Sequence, residues 1–264
     1  MPRWLSGISR AQPHVVRWLD IAIRGWPRTS RPLTIAFLSD LHVGSHSGDL
    51  NRLRAIVGEV CKLQPDLVLH GGDFLPWQHA YGRKVPPIVI GRVLRPLRAP
   101  LGQFGVLGNH DYQMRGEGLA AALAANGIDM LDDERRSITF EGHAIDLIGI
   151  PDARRHRAQA QALLDALSAQ QPAIILTHDP YWFAHVPAGP FLTLAGHTHG
   201  GQFRLPLIGP VVNMSRAPMR WTYGRIIEQG REMYVTSGWG TSGLPLRIGI
   251  PPELVMLRVS AEGA

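Results

Sequence analysis

Five short apolar runs in this chain each end at an acidic, amide or imidazole side chain, and this repeated arrangement constrains the fold more than any other feature. Each run has three to six residues and no charge, which is typical of strands buried on both faces of a parallel sheet. Sites in open α/β sheets form beyond the carboxyl ends of the strands, so we expect the polar side chains to converge. They are Asp40 and His42, Asp73, Asn109 with His110 and Asp111, His178, and His197 with His199.

The segments between these runs predict helices, so the pattern as a whole indicates an α/β fold. Asp49 can cap a helix that reaches about Leu63, with its apolar residues at helical spacing. The other elements predicted are helices over 117–125 and 157–169, a strand over Phe104–Leu107 and a hairpin that turns at Glu141-Gly142.

The charge distribution separates the first residues from the rest and predicts two units, at 1–31 and 32–264. Residues 1–31 hold six arginines and one acid, a charge of +5, so the remainder carries +6 minus +5, or +1. A nearly neutral body argues against a nucleic-acid partner. Alternating apolar residues at Leu19–Arg24 predict a first strand within the arm, with a short helix near 14–24 as the alternative.

The basic arm has two interpretations. Its arginines and tryptophans suit an anionic membrane surface, whereas a packed strand with a solvated lead-in is the simpler possibility. No run of about 18 apolar residues predicts a membrane-spanning helix. A single cysteine excludes a disulfide scaffold, and no secretory signal is recognisable. The expected location is the cytoplasm, with peripheral contact at the inner face of the membrane as an option.

The polar cluster predicts a metal site. Burying Asp40 and Asp73 without a counter-charge would cost on the order of several kcal/mol, and no lysine lies within four residues of the ligand-type positions. Oxygen and imidazole donors without thiolates suit Mn, Fe or Zn. Asp73, which follows two glycines and precedes Phe74, is best placed to bridge two ions. Two divalent ions would leave the site positive, ready for a bridging hydroxide and an anionic substrate, as in two-metal phosphoryl hydrolysis.

The motifs, in order, resemble those of the calcineurin-like metallophosphoesterase superfamily. The resemblance covers roughly residues 33–202. The segments 196–202 and 238–247 are similar to a bacterial branch that includes membrane-associated phosphodiesterases and a UDP-2,3-diacylglucosamine hydrolase. The fold implied for 32–264 is an α/β/β/α sandwich, two packed mixed sheets flanked by helices. The motifs are Asp40-x-His42, Gly72-Asp73, Gly108-Asn109-His110-Asp111, His178 and Gly196-His197-Thr198-His199.

The resemblance also implies a role for each motif residue. His110 would face the scissile phosphate and protonate the leaving oxygen, a step worth about 10²–10⁴ in rate. Asp111 would hold a histidine or loop in place. Further candidates for support or substrate contact are His70, Gly200, Gly201 and Arg247. The first metal would be held by Asp40, His42, Asp73 and His199, and the second by Asp73, Asn109, His178 and His197.

Three functions follow as expectations. The first is hydrolysis of a phosphodiester or pyrophosphate in a lipid-linked substrate such as UDP-2,3-diacylglucosamine. The second is a soluble phosphodiesterase acting on nucleotides or small phosphodiesters. The third is an inactive binding scaffold, which the intact motifs disfavour. Members of the bacterial branch often begin with a transmembrane helix, and the arm at 1–31 could replace it by surface binding. The sequence predicts no oligomeric state.

Overall fold

The computed structural model describes residues 13–45, 49–77, 83–113, 118–152 and 157–263. The first twelve residues of the predicted basic arm lie outside this part of the chain. In chain order the strands are β1 Val15–Ile23, β2 Leu33–Leu38, β3 Leu67–His70, β4 Gln103–Gly105, β5 Asp129–Met130, β6 Glu134–Phe140, β7 His143–Ile150, β8 Ala173–Thr177, β9 Phe191–Ala195, β10 Arg204–Leu205, β11 Gly209–Pro210, β12 Gly224–Glu228, β13 Arg231–Val235 and β14 Glu253–Ala261.

Twelve of these strands form two mixed six-stranded sheets. The first sheet has the order β1-β14-β2-β3-β4-β5, in which β2 to β5 run parallel and β14 runs antiparallel to β2. The second has the order β12-β13-β9-β8-β7-β6, with parallel strands in its centre and an antiparallel strand at each edge. Strands β10 and β11 form a separate small ribbon.

The two sheets pack face to face and helices cover their outer faces. Apolar side chains from both sheets, such as Phe37 and Leu69 on one and Leu176 on the other, form the central layer. A second cluster joins the first sheet to three helices, and a third joins the second sheet to its own helices. The predicted α/β/β/α sandwich is therefore confirmed. The helices are α1 Asp49–Leu63, α2 Pro87–Leu94, α3 Asn109–Gln113, α4 Leu119–Ala124 and α5 Arg157–Asp165, with 3-10 turns at Pro180–His185, His199–Gly201 and Met219–Trp221.

Local signals account for most element bounds. Helix α1 has its predicted limits, and the Asp49 carboxylate accepts a hydrogen bond from the Gly44 N–H (3.1 Å) at its start. The hairpin between β6 and β7 turns at Glu141 and Gly142, whose φ angles of 46° and 80° are those of a type I′ turn. Helices α4 and α5 lie within their predicted ranges but are shorter.

The strand predicted over Phe104–Leu107 was placed too late in the chain. Strand β4 covers Gln103–Gly105 instead. The Val106 N–H still donates to the His70 carbonyl (3.0 Å), and the Gly108 N–H then donates to the Asp111 carboxylate (3.0 Å). The chain has thus left the sheet by Gly108, where the apolar run of the sequence ends.

The first described strand, β1, settles the choice between a strand and a helix near residue 19. It pairs parallel with β14, from Val15 opposite Glu253 to Ile23 opposite Ala261. Its Ile21 and Ile23 are buried, while Trp18 is 43% exposed and lies beneath the Arg258 guanidinium. None of the described helices combines the length and apolar character that crossing a bilayer requires.

A buried carboxylate joins the two sheets near their β1 and β12 edges. Glu253, on β14, is 1% exposed and accepts five hydrogen bonds at 2.8–3.0 Å. If this carboxylate were removed, each buried donor would lose its hydrogen-bond partner. Glu253 therefore links the edges of the two sheets by hydrogen bonds, in addition to the apolar contacts of the central layer. The donors are Arg17 Nε, the hydroxyls of Tyr223, Tyr234 and Thr236, and the Ser237 N–H.

We expect Glu253→Ala to lower the free energy of unfolding by about 3–5 kcal/mol, because it leaves a buried set of donors without an acceptor. Urea denaturation followed by circular dichroism measures this. The control is Arg258→Ala, on the same strand, which breaks an exposed ion pair with Asp20 and should cost at most about 1 kcal/mol. Equal losses in the two variants would contradict the structural role of Glu253.

Candidate metal centre

The predicted ligands converge because the carboxyl ends of parallel strands from both sheets meet at one edge of the sandwich. The loops after β2, β3 and β4 come from the first sheet, and those after β8 and β9 come from the second. All of the residues concerned are buried. The structure thus brings together the seven predicted ligands Asp40, His42, Asp73, Asn109, His178, His197 and His199.

One group of ligand atoms combines the loops after β2 and β9. The ligand atoms of Asp40, His42 and His199 lie within 4.8 Å of one another. The Nε2 atoms of His42 and His199 are 3.0 Å apart, and His199 Nε2 lies 3.5 Å from Asp40 Oδ1. The three side chains therefore point at a common centre.

A second group combines the loops after β3, β8 and β9. It contains Asp73, His178 and His197, again with all ligand atoms within 4.8 Å. His178 Nε2 is 3.4 Å from Asp73 Oδ2 and 3.1 Å from His197 Nδ1. Asn109 Oδ1 also lies 3.1 Å from His178 Nε2.

The Asp73 carboxylate connects the two groups. Its Oδ2 atom is 3.7 Å from His42 Nε2 in the first group and 3.4 Å from His178 Nε2 in the second. Its Oδ1 atom accepts a hydrogen bond from the His110 N–H (2.9 Å), which fixes the orientation of the carboxylate. This placement is the one expected of a bridging ligand.

The histidine rings are oriented for metal binding. His42 Nδ1 lies 3.0 Å from the Leu75 carbonyl, and His178 Nδ1 lies 2.7 Å from the Gly71 carbonyl. A carbonyl can only accept, so each Nδ1 carries the proton and each Nε2 can direct a lone pair at the centre. Facing lone pairs beside carboxylate oxygens suit divalent cations, so the donor set fits two such ions.

The buried carboxylates and imidazoles of the site shift one another's pKa values in opposite directions. Burial by itself would raise the pKa of Asp73, but the His178, His110 and His42 imidazoles hold it well below its usual range. Although burial opposes protonation, attraction to Asp73 raises the pKa of His178 to about 10. Burial lowers the pKa of His42 to about 3 and raises that of Asp40. Cations in the site would remove this conflict, and a metal ion at His178 competes with a proton.

The backbone at the ligands adopts a conformation that is costly for residues with a Cβ. Five of the seven predicted ligands have left-handed φ angles, which cost about 1–2 kcal/mol each for non-glycine residues. Hydrogen bonds between neighbouring loops hold this conformation, including Asp40 N–H to Gly72 O (2.9 Å) and His42 N–H to Asp73 O (3.0 Å). The five are Asp40 (54°), His42 (44°), Asp73 (55°), His197 (69°) and His199 (52°).

Glycines leave the space that these carboxylates occupy. A Cβ on Gly108 would lie 2.1 Å from Asp73 Oδ1, and one on Gly196 would lie 2.4 Å from Asp40 Oδ2. The candidates Gly200 and Gly201 have φ angles of 62° and 79° and pack against Ile250 and Pro210. These two glycines allow the tight turn after His199; unlike Gly108 and Gly196, they do not lie against a carboxylate.

Of the two candidates beside the ligands, one lines the cleft and the other holds the surrounding loops in place. His110 lines an open cleft of about 340 Å³ with Trp77, Met214 and Ser242, and its Nε2 lies 3.9 Å from Asp73 Oδ2. Asp111 is fully buried, and its carboxylate accepts from the N–H groups of Leu75 (2.9 Å) and Gly108. Burial and repulsion from Asp73 raise the pKa of Asp111 to about 7.

Two candidates lie away from the cleft. His70 is buried beside Phe74, with its Nε2 3.3 Å from Gln103 Oε1. Arg247 is 1% exposed, donates to the Ser237 carbonyl (2.7 Å) and lies 3.4 Å from His199 Nδ1. Its guanidinium supports the loop behind His199. Of the two roles expected for Arg247, support agrees with this buried position and substrate contact does not.

Sequence reasoning missed other contributors. His197 Nε2 contacts the Met214 carbonyl (3.2 Å) and lies 3.8 Å from Asp179 Oδ2. Asp179 directly follows the ligand-type residue His178, a signal that could have identified it. Backbone carbonyls such as those of Leu75 and Gly71 have no sequence signal.

A family model and several known proteins are similar to this chain. A family model described as calcineurin-like phosphoesterase matches residues 33–201. The Bacillus subtilis metallophosphoesterase YkuE is 26% identical over 95% of this chain and 87% of its own length. The Escherichia coli phosphodiesterase YaeI is 30% identical over 86% of this chain and 82% of its own. A solved structure of the Haemophilus influenzae NAD nucleotidase NadN aligns with a TM-score of 0.49 and 16% identity, over 80% of this chain and 45% of that one.

We expect Gly108→Ala to weaken Mn²⁺ binding at least about ten-fold, because the added methyl group displaces the Asp73 carboxylate. Isothermal titration calorimetry measures the affinity. The control is Gly58→Ala in α1, where a Cβ meets nothing within 4 Å and should stabilise the helix by about 0.5–1 kcal/mol. Wild-type affinity in Gly108→Ala would show that Asp73 is not a ligand.

Proposed function

The chain belongs to the calcineurin-like phosphoesterase family, and on that basis we propose that it is a metal-dependent phosphodiesterase whose two ions share the Asp73 carboxylate. The observation that carries this proposal is the position of Asp73 Oδ2, within 3.7 Å of ligand nitrogens in both groups. The presence of all seven predicted ligands at one edge also argues against an inactive scaffold.

We assign the ligands by the two groups. Asp40, His42 and His199 would hold one ion with Asp73, and the second ion would be held by Asp73 with Asn109, His178 and His197. Mn, Fe and Zn all suit this set of oxygen and imidazole donors. When bound, two such ions lower the pKa of water and stabilise negative charge on a phosphoryl group.

The remaining residues orient the site and move a proton. His110 lines the cleft and is the group placed to donate a proton to the leaving oxygen of a bound phosphoester. Its own N–H fixes the Asp73 carboxylate, so a single residue links the proton donor to the shared ligand. Asp111 holds the loops after β3 and β4 together. Arg247 braces His199 from behind.

We further propose a phosphodiester or pyrophosphate of a lipid-linked molecule, such as UDP-2,3-diacylglucosamine, as the substrate. Trp77 and Met214 are more than half exposed at the rim of the cleft, where an apolar substituent would contact them. The second candidate is a nucleotide or another small phosphodiester. Its support is the cleft volume of about 340 Å³, which suits a small molecule.

We expect Asp73→Asn to lower hydrolysis of bis(4-nitrophenyl) phosphate by Mn-loaded protein more than 100-fold, since both groups lose a charged ligand. Release of 4-nitrophenol measures the rate. The control is Asp165→Asn, at an exposed position on α5, which should behave as wild type. Substantial activity in Asp73→Asn would overturn the dinuclear assignment.

The same pair of proteins tests the substrate. Release of UMP from UDP-2,3-diacylglucosamine by wild type, and not by Asp73→Asn, would support the lipid-linked candidate. Hydrolysis of the chromogenic diester without release of UMP would exclude that molecule and favour the second candidate.

We expect His110→Gln to lower kcat about 10²–10⁴-fold while the protein still binds two Mn²⁺. The decrease in kcat should be larger for a phosphodiester with a methoxide leaving group than for one with a 4-nitrophenolate leaving group, because methoxide is the poorer leaving group and depends more on protonation. The control is His185→Gln, at an exposed histidine that ends the 3-10 turn Pro180–His185, and its kcat should equal that of wild type. Equal losses for both esters would indicate that His110 positions the substrate without donating a proton.

A further inference from the structure

An exposed apolar surface lies next to the cleft, and apart from Met214 at the cleft rim the proposed chemistry does not use it. It is formed by the β10–β11 ribbon, the segment after it and part of the loop that follows β13. At its tip, Leu207 is fully exposed and Ile208 is 73% exposed. We call this surface the apolar ridge; its members are Leu205, Leu207, Ile208, Val211, Val212, Met214, Leu244 and Ile248.

The stability of the turn does not explain why a leucine stands at the tip of the ridge. Strands β10 and β11 pair only through Arg204–Pro210 and Leu205–Gly209, so the turn must close over three residues. Leu207 occupies that turn with a φ of 66°, a conformation that favours glycine or asparagine. A leucine there is costly to the backbone, and its side chain is fully exposed among the residues that the structure describes. Its apolar side chain therefore suits contact with something outside the chain.

The ridge is attached to the loop that carries two predicted metal ligands. Gly201 packs against Pro210, and the Met214 carbonyl contacts His197 Nε2 at 3.2 Å. On the other side, the Arg204 N–H donates to the Ile248 carbonyl (2.8 Å). Met214 belongs both to the ridge and to the cleft lining. Any surface that receives the ridge is thus held close to the mouth of the cleft.

The charged residues within the segments that form the ridge are arginines, and the neighbouring Asp179, which accepts a hydrogen bond from the Ser215 hydroxyl, is buried. Residues 180–227 and 233–252, which include the whole ridge, contain no aspartate or glutamate. Arg204 and Arg216 lie within these segments, and neither forms an ion pair with another residue in the described part of the chain. Protruding aliphatic side chains flanked by arginines, with no acidic residue among them, match an interface of hydrocarbon beneath phosphate.

We propose that the apolar ridge inserts into the headgroup layer of an anionic lipid bilayer, with Arg204 and Arg216 contacting lipid phosphates. A bilayer fits better than a protein partner because the tip is a three-residue turn whose aliphatic side chains, Leu207 and Ile208, are largely exposed, with two arginines nearby to contact phosphate. This proposal goes beyond the hydrolysis proposed above, since it concerns binding and is measured without turnover. It also places the cleft mouth at the membrane surface.

The test is sedimentation of the full chain with sucrose-loaded vesicles of phosphatidylethanolamine and phosphatidylglycerol. We expect wild type to bind, and Leu207→Glu/Ile208→Glu to bind at least about ten-fold more weakly. Arg216→Gln should weaken binding about five-fold, and vesicles of phosphatidylcholine alone should bind wild type poorly. The matched control is Ile227→Glu, at a 62% exposed isoleucine on β12 outside the ridge, which should bind as wild type.

Hydrolysis of bis(4-nitrophenyl) phosphate without vesicles should be the same in wild type and the double variant, which separates this proposal from the catalytic one. Equal vesicle binding by both would overturn it and assign binding to another part of the chain, such as residues 1–31. Absence of binding by wild type would overturn it as well. A wild-type dimer that dissociates in the double variant and binds no vesicles would instead make the ridge an interface between copies of this chain.

Discussion

The contact between the buried Asp73 carboxylate and the imidazoles on either side of it is the interaction on which the rest of the site depends. A carboxylate with almost no solvent access needs positive charge or donors close by. The two sheets supply these by directing the loop after β2, which carries His42, and the loop after β8, which carries His178, at the loop after β3. The clearance at Gly108, the loop bonds of Asp111 and the orientation of His110 all serve to keep this one group in place.

The position of the ligands was predictable because it follows from local pattern and one general rule. Apolar runs that stop at Asp40, Asp73 and His178 identify strand ends, and parallel strands place their ends together. The hairpin at Glu141-Gly142 and the limits of α1 were likewise encoded within a few residues. The order of the motifs added the family, and with it the two-sheet architecture.

Features that depend on distant contacts were not predictable. Arg247 carries no pattern that shows whether it faces solvent, and only the packed structure places its guanidinium among the carbonyls behind His199. The five donors around Glu253 come from three separate segments, at residue 17, residue 223 and residues 234–237. Left-handed backbone at aspartate and histidine also leaves no signal, because it is imposed by bonds between loops and not by the residue itself.

The parallel pairing of β1 with β14 has a consequence for how the chain acquires its structure. Strand β14 lies between β1 and β2, so two neighbouring edges of the first sheet stay open until residues 253–261 have been made. A nascent chain that lacks them exposes unpaired backbone and the apolar side chains of the central layer. The second sheet, whose strands lie between residues 134 and 235, can assemble earlier. Folding of the first sheet should thus be completed only after residues 253–261 have emerged from the ribosome, and chains that end before β14 should aggregate.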